Sequence, residues 1–159
     1  DKHLLESESV LNYFKESNNQ ITKLIEENEK DFVFMGSSLG GYYANFFGSI
    51  NKSKVILINP AIPPLKGFEE YLGENENYST GEKFIVTKDD IKFLRTLVTK
   101  KFNNQKNTLV FLESGDEVLN YVEAAKYFLG SNIDITYGGG HSYESITSKL
   151  EKIVRFIEI

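Results

Sequence analysis

Gly36-Ser37-Ser38-Leu39-Gly40 decides how this chain folds, read together with the apolar run Asp31-Phe32-Val33-Phe34-Met35 before it and Gly40-Gly41-Tyr42-Tyr43-Ala44-Asn45-Phe46-Phe47 after it. The five residues match G-x-S-x-G. The run ahead is short and rich in aromatic residues, so it predicts a buried strand stopped by Gly36. The segment behind predicts a buried helix. A strand, a tight turn and a helix in that order project the middle residue, Ser38, above the edge of a sheet in a strained backbone conformation. Gly36 and Gly40 carry no Cβ and are expected to let strand and helix approach closely. The start of the helix favours negative charge, and the backbone N–H of Leu39 is the expected donor to an oxyanion forming there. A phosphate cradle is the weaker reading, because the turn lacks the lysine of a P-loop and the spacing of a dinucleotide fingerprint. A glycine turn that merely packs is the second reading, ahead of the phosphate cradle.

Working outward, residues 4 to 29 predict helix, with Val10, Leu11, Phe14, Ile21, Leu24 and Ile25 at three- and four-residue steps and a potential break at Ser17-Asn18-Asn19. Lys54 to Ile58 predicts a second buried strand ended by Asn59-Pro60, and Pro60, Pro63 and Pro64 mark a sharp exit from it. Residues 66 to 88 show no clean period. Asp89 to Phe102 predicts a helix capped by Asp89 or Asp90, with Ile91, Leu94, Leu97 and Val98 on one stripe. Strand Thr108–Leu112, helix Val118–Leu129, strand Ile133–Tyr137 and a helix over 144–157 built on Ile146, Leu150, Ile153 and Ile157 complete the chain. Strands alternating with helices predict a mostly parallel sheet with helices on both faces.

With 159 residues, 40% hydrophobic and 26% charged, the chain predicts one globular domain rather than a disordered tail. A net charge of -5 argues against nucleic acid as a partner. The absence of cysteine excludes disulfides, thiolate metal sites and a cysteine nucleophile. With only two histidines, His3 and His141, and no dense carboxylate–histidine cluster, neither a metal nor any other cofactor is expected. No apolar run approaches the ~20 residues of a membrane helix, and the polar, acidic start is unlike a secretory signal. A cytoplasmic protein without membrane contact is the expectation.

A serine hydroxyl needs a positioned base to act as a nucleophile near neutral pH. His141, in Gly138-Gly139-Gly140-His141-Ser142, is the one histidine that follows Ser38, and its glycine loop can fold close to the serine. His3 reads as a solvated residue. A third group must hold the imidazole tautomer, and for this type of turn the chain order is serine, acid, histidine. Asp89, Asp90, Asp116, Glu117 and Asp134 all lie in that interval. Asp116 is favoured because it follows the end of a strand, where sites form in open parallel sheets. Glu117 is the second choice. Asp89 and Asp90 look like a helix cap and Asp134 like a strand-surface residue.

These segments resemble the YqiA-like esterases, small bacterial α/β-hydrolases. The similarity is carried by Gly36 to Tyr43, Asn59-Pro60-Ala61, Tyr71-Leu72-Gly73 with Glu74-Asn75-Glu76-Asn77, Gly115 to Leu119, and the turn Gly139 to His141. It covers nearly the whole chain. The resemblance implies an α/β-hydrolase fold and a triad of Ser38, Asp116 and His141 acting on acyl esters, with acyl thioesters as a further class. Two features depart from the family. Gly140 stands where the family turn has asparagine, which predicts a looser loop. No His-Gly-Phe segment precedes residue 31, so the chain is expected to lack the family's N-terminal strand and its second oxyanion donor.

The expected organisation is a single α/β-hydrolase domain over 1–159, with a cap insertion from about Pro60 to Asn107, since connections between such elements usually run ~2–6 residues. Phe68, Tyr71, Leu72, Tyr78 and Phe84 are the candidate acyl-pocket residues, against the alternative that they form the cap's own small core. The leading expectation is a serine esterase acting on a small-molecule ester. An acyl-CoA thioesterase or acyltransferase with the same triad is the second, and a non-catalytic binding module without its oxyanion loop the third. Oligomeric state is not legible.

Overall fold

A computed structural model describes residues 2–28, 32–76 and 81–158. In chain order the elements are α1 (Lys2–Glu26), β1 (Val33–Ser37), α2 (Ser38–Asn51), β2 (Lys54–Pro60), β3 (Gly73–Glu76), β4 (Lys83–Val86), α3 (Lys88–Thr96), β5 (Thr108–Glu113), α4 (Tyr121–Tyr127), β6 (Asn132–Thr136) and α5 (Leu150–Glu158). Three 3₁₀ segments, Phe68–Tyr71, Gln105–Asn107 and Glu144–Lys149, lie between them. The chain divides into two compact units, one of Asp1–Lys30 with Pro64–Leu97 and one of Asp31–Pro63 with Val98–Ile159.

The second unit is built on a four-stranded sheet of order β1-β2-β5-β6, parallel throughout. Its central strands are continuous apolar runs because both of their faces are covered. Odd and even positions of β2 and β5 feed two separate clusters. Val55, Leu57, Val110 and Leu112 pack with Ala44 of α2, Phe102, Ala124 of α4 and Phe128. Ile56, Ile58, Leu109 and Phe111 pack with Tyr143 and Ile153 of α5. This is the parallel sheet with helices on both faces expected from the alternation of strands and helices, but β1, expected to be buried, lies at the sheet edge and leaves Val33 and Met35 exposed. Close contact between α2 and β2 depends on Gly48, where an added Cβ would stand 2.0 Å from Cγ2 of Val55. At the same end of the sheet, Asn104 Nδ2 donates to the carbonyls of Gly48 (3.2 Å) and Ser53 (2.8 Å).

The first unit holds α1, the antiparallel β3–β4 hairpin and α3. Helix α1 runs unbroken through Ser17-Asn18-Asn19, and Leu24 is exposed instead of lying on the buried stripe. The side chains of His3, Val10 and Leu11 lie outside the described residues, as does Tyr78.

Several boundaries differ from the sequence expectation for identifiable reasons. Strand β1 continues through Gly36 to Ser37. Helix α3 is capped by Thr87, not by Asp89 or Asp90; Asp90 is instead the returning member of a capping box. The helix ends at Thr96, and Val98 is exposed. Helix α4 starts only after Asn120, whose side chain accepts from the N–H groups of Val122 and Glu123. The segment 144–157 opens as a 3₁₀ turn, which shifts the apolar stripe: Leu150 and Ile157 face outward while Phe156 packs beside Ile146 and Ile153.

Candidate active site

Ser38 is the first residue of α2 and has a positive φ of 51°. Such a conformation is costly for a residue with a side chain and persists only where its surroundings impose it. Here the Ser38 carbonyl accepts from the N–H of Ala61 at 3.0 Å, and Ser38 bridges Pro60 at the end of β2. The turn closes tightly enough that a Cβ on Gly36 would meet the Gly40 carbonyl oxygen at 2.2 Å. A Cβ on Gly41 would meet Pro60 Cβ at 2.8 Å. Gly40 is different from the sequence expectation: an added Cβ there finds nothing within 4 Å. The close approach therefore requires Gly36 and Gly41, and Gly40 sits at the exposed start of the helix.

Asp116 follows β5 in the turn Ser114–Glu117 and is fixed by its own downstream backbone. Its Oδ1 accepts from the N–H groups of Val118 (2.9 Å) and Leu119 (2.8 Å). The side chain is 1% exposed. His141 follows β6 in a loop where Gly138 and Gly139 both take positive φ, of 87° and 69°. That loop is tied to the β5 turn by Gly115 N–H donating to Gly138 O at 2.9 Å and by Gly138 N–H donating to Ser114 Oγ at 2.9 Å.

These placements bring three predicted residues together. His141 Nε2 lies 2.9 Å from Ser38 Oγ. His141 Nδ1 lies 3.0 Å from each carboxylate oxygen of Asp116. An ionised Asp116 accepts the Nδ1 proton, which leaves Nε2 free to accept from the serine hydroxyl. Leu39 is the second residue of α2, so its backbone N–H has no acceptor within the helix and is available to an oxyanion.

The other acids are engaged elsewhere. Glu117 Oε2 accepts from the backbone N–H of His141 at 3.0 Å, so it touches the loop and not the ring. Its own backbone N–H, followed by that of His141, holds its carboxyl below the usual range. Asp90 serves the α3 capping box, and Asp89 pairs with Lys92 at 2.8 Å. Asp134 pairs with Lys149 and Lys152, each at 2.8 Å. Of the proposed pocket residues, Phe68 and Tyr71 pack against each other with tilted rings, centroids 5.6 Å apart, and Leu72 and Phe84 are half-buried within the same unit. Among the described residues no group of three or more His, Asp and Glu is placed to hold a metal ion, and no helix is long and apolar enough to cross a membrane.

Two buried polar residues to which the sequence gives no role at the site lie behind His141. They are Asn59 at the end of β2, 2% exposed, and Glu113 at the end of β5, 1% exposed. The available signal was a polar residue closing an otherwise apolar strand in each case.

Among solved structures, the chain is similar to a putative hydrolase from Agrobacterium vitis S4, with a TM-score of 0.55 and 18% identity, over 79% of this chain and 60% of that one. It is also similar to mouse alpha/beta hydrolase domain-containing protein 10, with a TM-score of 0.61 and 17% identity, over 89% of this chain and 67% of that one. The fold is that of the α/β-hydrolases. The chain thus spans 60% of the length of the Agrobacterium protein. A UPF0227 protein of Pectobacterium carotovorum subsp. carotovorum is 25% identical over 140 residues, 86% of this chain and 71% of its own length. The sequence model of the uncharacterised protein family UPF0227 matches residues 5–158. The chain belongs to the UPF0227 family, the YqiA-like group that its motifs resemble.

Proposed function

We propose that this chain is a serine hydrolase that cleaves carboxylic esters of small-molecule substrates through Ser38, His141 and Asp116. The observation that carries the reading is the unbroken line of contacts from Ser38 Oγ through His141 to the buried carboxylate of Asp116, at 2.9 and 3.0 Å. The α/β-hydrolase fold and the positive φ at Ser38 support it.

In this reading His141 Nε2 takes the Ser38 proton as Oγ bonds to the ester carbonyl carbon. The carbonyl electron pair moves to oxygen, which accepts from the Leu39 N–H. Collapse of the tetrahedral adduct breaks the carbon–alkoxide bond, and the leaving alkoxide takes the proton from Nε2. Water then gives a proton to Nε2 as its oxygen bonds to the acyl carbon; the bond from that carbon to Ser38 Oγ breaks, Oγ takes the proton back from Nε2, and the carboxylic acid leaves. Asp116 holds the tautomer throughout and stabilises the imidazolium. No step requires a cofactor. Within the same reading, the reaction takes place in the cytoplasm.

The test is hydrolysis of a short p-nitrophenyl ester by the wild-type chain and by Ser38→Ala, with thermal melts of both. Loss of turnover with an unchanged melt is expected, together with labelling of Ser38 by a fluorophosphonate. Equal turnover in the two proteins removes the reading.

A further inference from the structure

The imidazole of His141 is carried by a glycine-rich loop, and nothing in the Ser38–His141–Asp116 line explains what keeps that loop in place. Besides the ties from Ser114, Gly115 and Glu117, two buried side chains hold it at Gly140, and they come from the ends of adjacent central strands. Asn59 Nδ2 donates to the carbonyls of Gly140 (3.0 Å) and His141 (3.2 Å), across 81 residues of sequence in the first case. Its Oδ1 accepts from the backbone N–H of Glu113 at 2.9 Å. The Glu113 carboxylate then reaches the same loop from the other strand. Its Oε2 accepts from Gly140 N–H at 2.7 Å, and its Oε1 accepts from Ser145 N–H (3.2 Å) and the Ser145 hydroxyl. The peptide groups on both sides of Gly140 are thus paired, one to each strand end.

We propose that Asn59 and Glu113 are positioning residues that clamp the backbone around Gly140 and so set the distance from His141 Nε2 to Ser38 Oγ; this rests on the reading of Ser38 and His141 as nucleophile and base. The clamp is built into the fold at some cost. Asn59 adopts a positive φ of 38°, which asparagine tolerates better than most residues. Gly139 has no room for a side chain, since a Cβ there would stand 2.0 Å from Glu113 Oε2. The looseness expected from glycine at position 140 is offset, because both of its polar backbone groups are held by buried side chains. A base displaced by about 1 Å loses up to ~10²-fold in rate, so such a clamp governs turnover without touching substrate.

Asn104 supplies a matched control. It also buries an amide that donates to two carbonyls, but at the opposite end of β2, away from His141. Asn59→Asp and Asn104→Asp each keep the side-chain shape and remove the two donated bonds. Both are expected to lower the melting temperature by similar amounts. Only Asn59→Asp should lower kcat, by about 10- to 100-fold, with KM within about twofold of wild type. Asn59→Gly, which accepts the positive φ, should reproduce the loss of kcat if the aspartate variant does not fold. In the unmodified protein, the Gly140 amide should be protected from hydrogen exchange, and His141, one of only two histidines, should show a single sharp Hε1 resonance.

Wild-type kcat in a folded Asn59 variant, an equal fall in kcat for Asn59→Asp and Asn104→Asp, or a Gly140 amide exchanging as fast as a free loop overturns the clamp. A wild-type protein that hydrolyses no ester overturns the functional reading instead. The clamp is then read from Gly140 protection and the His141 resonance alone, which Asn59→Asp should broaden.

Discussion

Asp116 presents both carboxylate oxygens to a single atom of His141, Nδ1, at 3.0 Å each, while its Oδ1 also accepts two backbone N–H groups from Val118 and Leu119. Aspartate therefore has two separable duties at this position, to hold its own turn and to orient the ring. Asp116→Asn separates them. The amide oxygen can still accept from Val118 and Leu119, but the NH₂ group now donates to Nδ1. That moves the ring proton to Nε2, where it faces the Ser38 hydroxyl and cannot receive a proton. Ester turnover should fall by about 10⁴-fold while the thermal melt stays close to wild type. A variant with near-native turnover would mean that the carboxylate does not set the tautomer.

The strand-to-helix turn yields a contrast between two glycines of one motif. Gly36→Ala forces a methyl group to within 2.2 Å of the Gly40 carbonyl oxygen and 2.4 Å of its carbon, both backbone atoms that cannot yield without opening the turn. It should cost about 2 kcal/mol or more, in the range of overpacking, and lower turnover with it. Gly40→Ala meets nothing within 4 Å and removes a glycine from the start of a helix. It should be neutral or stabilising by up to about 1 kcal/mol. Urea titrations of both variants decide this, and a Gly40→Ala protein as unstable as Gly36→Ala would contradict the geometry.

The elements that were readable in advance share one property: their signal is local. The runs at 55–58 and 109–112 are apolar at successive positions because both sheet faces are covered, and β2 and β5 lie there. The β3–β4 hairpin was not readable, because Gly73-Glu74-Asn75-Glu76 has little strand propensity and takes its conformation from pairing with Lys83-Phe84-Ile85-Val86. The outward-facing Leu150 and Ile157 were misread because a 3₁₀ segment advances about 3.0 residues per turn instead of 3.6, so a stripe drawn through 144–149 loses its phase. At the candidate site, the convergence of Ser38, Asp116 and His141 was legible because a strained turn, a strand end and a glycine loop leave marks in sequence. Asn59 and Glu113 were not, because their partners are main-chain groups of a loop remote in sequence.

Helix α3 offers a test confined to the first unit. Thr87 Oγ1 accepts from Asp90 N–H at 3.3 Å, and Asp90 Oδ2 accepts from Thr87 N–H at 2.6 Å, so each residue satisfies the other's free donor. Asp90 is fully buried, so water cannot replace the lost partner cheaply. Thr87→Ala should destabilise by about 1–2 kcal/mol, and Thr87→Ser should recover most of it by restoring the hydroxyl. Equal stability of the two variants in urea, followed by far-UV circular dichroism, would show that the box does not hold the helix.

Glu113 gives the fold a defined response to acid. Burial alone pushes its carboxyl up, but the Ser145 hydroxyl and the N–H groups of Gly140, Ser145 and Glu144 outweigh it and hold the group below its ordinary value of 4.5. Lys149, raised chiefly by Asp134, also feels the Glu113 charge. A carboxylate whose folded value lies below its unfolded one binds fewer protons in the folded state. Its contribution is therefore complete above the ordinary value of 4.5 and is lost as pH falls through the folded value. Glu113→Gln places an NH₂ group where only donors converge, and should cost about 1–3 kcal/mol at neutral pH. The gap between wild type and variant should then narrow as pH falls to about 3, because protonation removes the wild-type advantage while the variant has nothing there to titrate. Urea unfolding at both pH values measures the two gaps. A gap that stays constant with pH would mean that the ionised form of Glu113 is not what holds the loop.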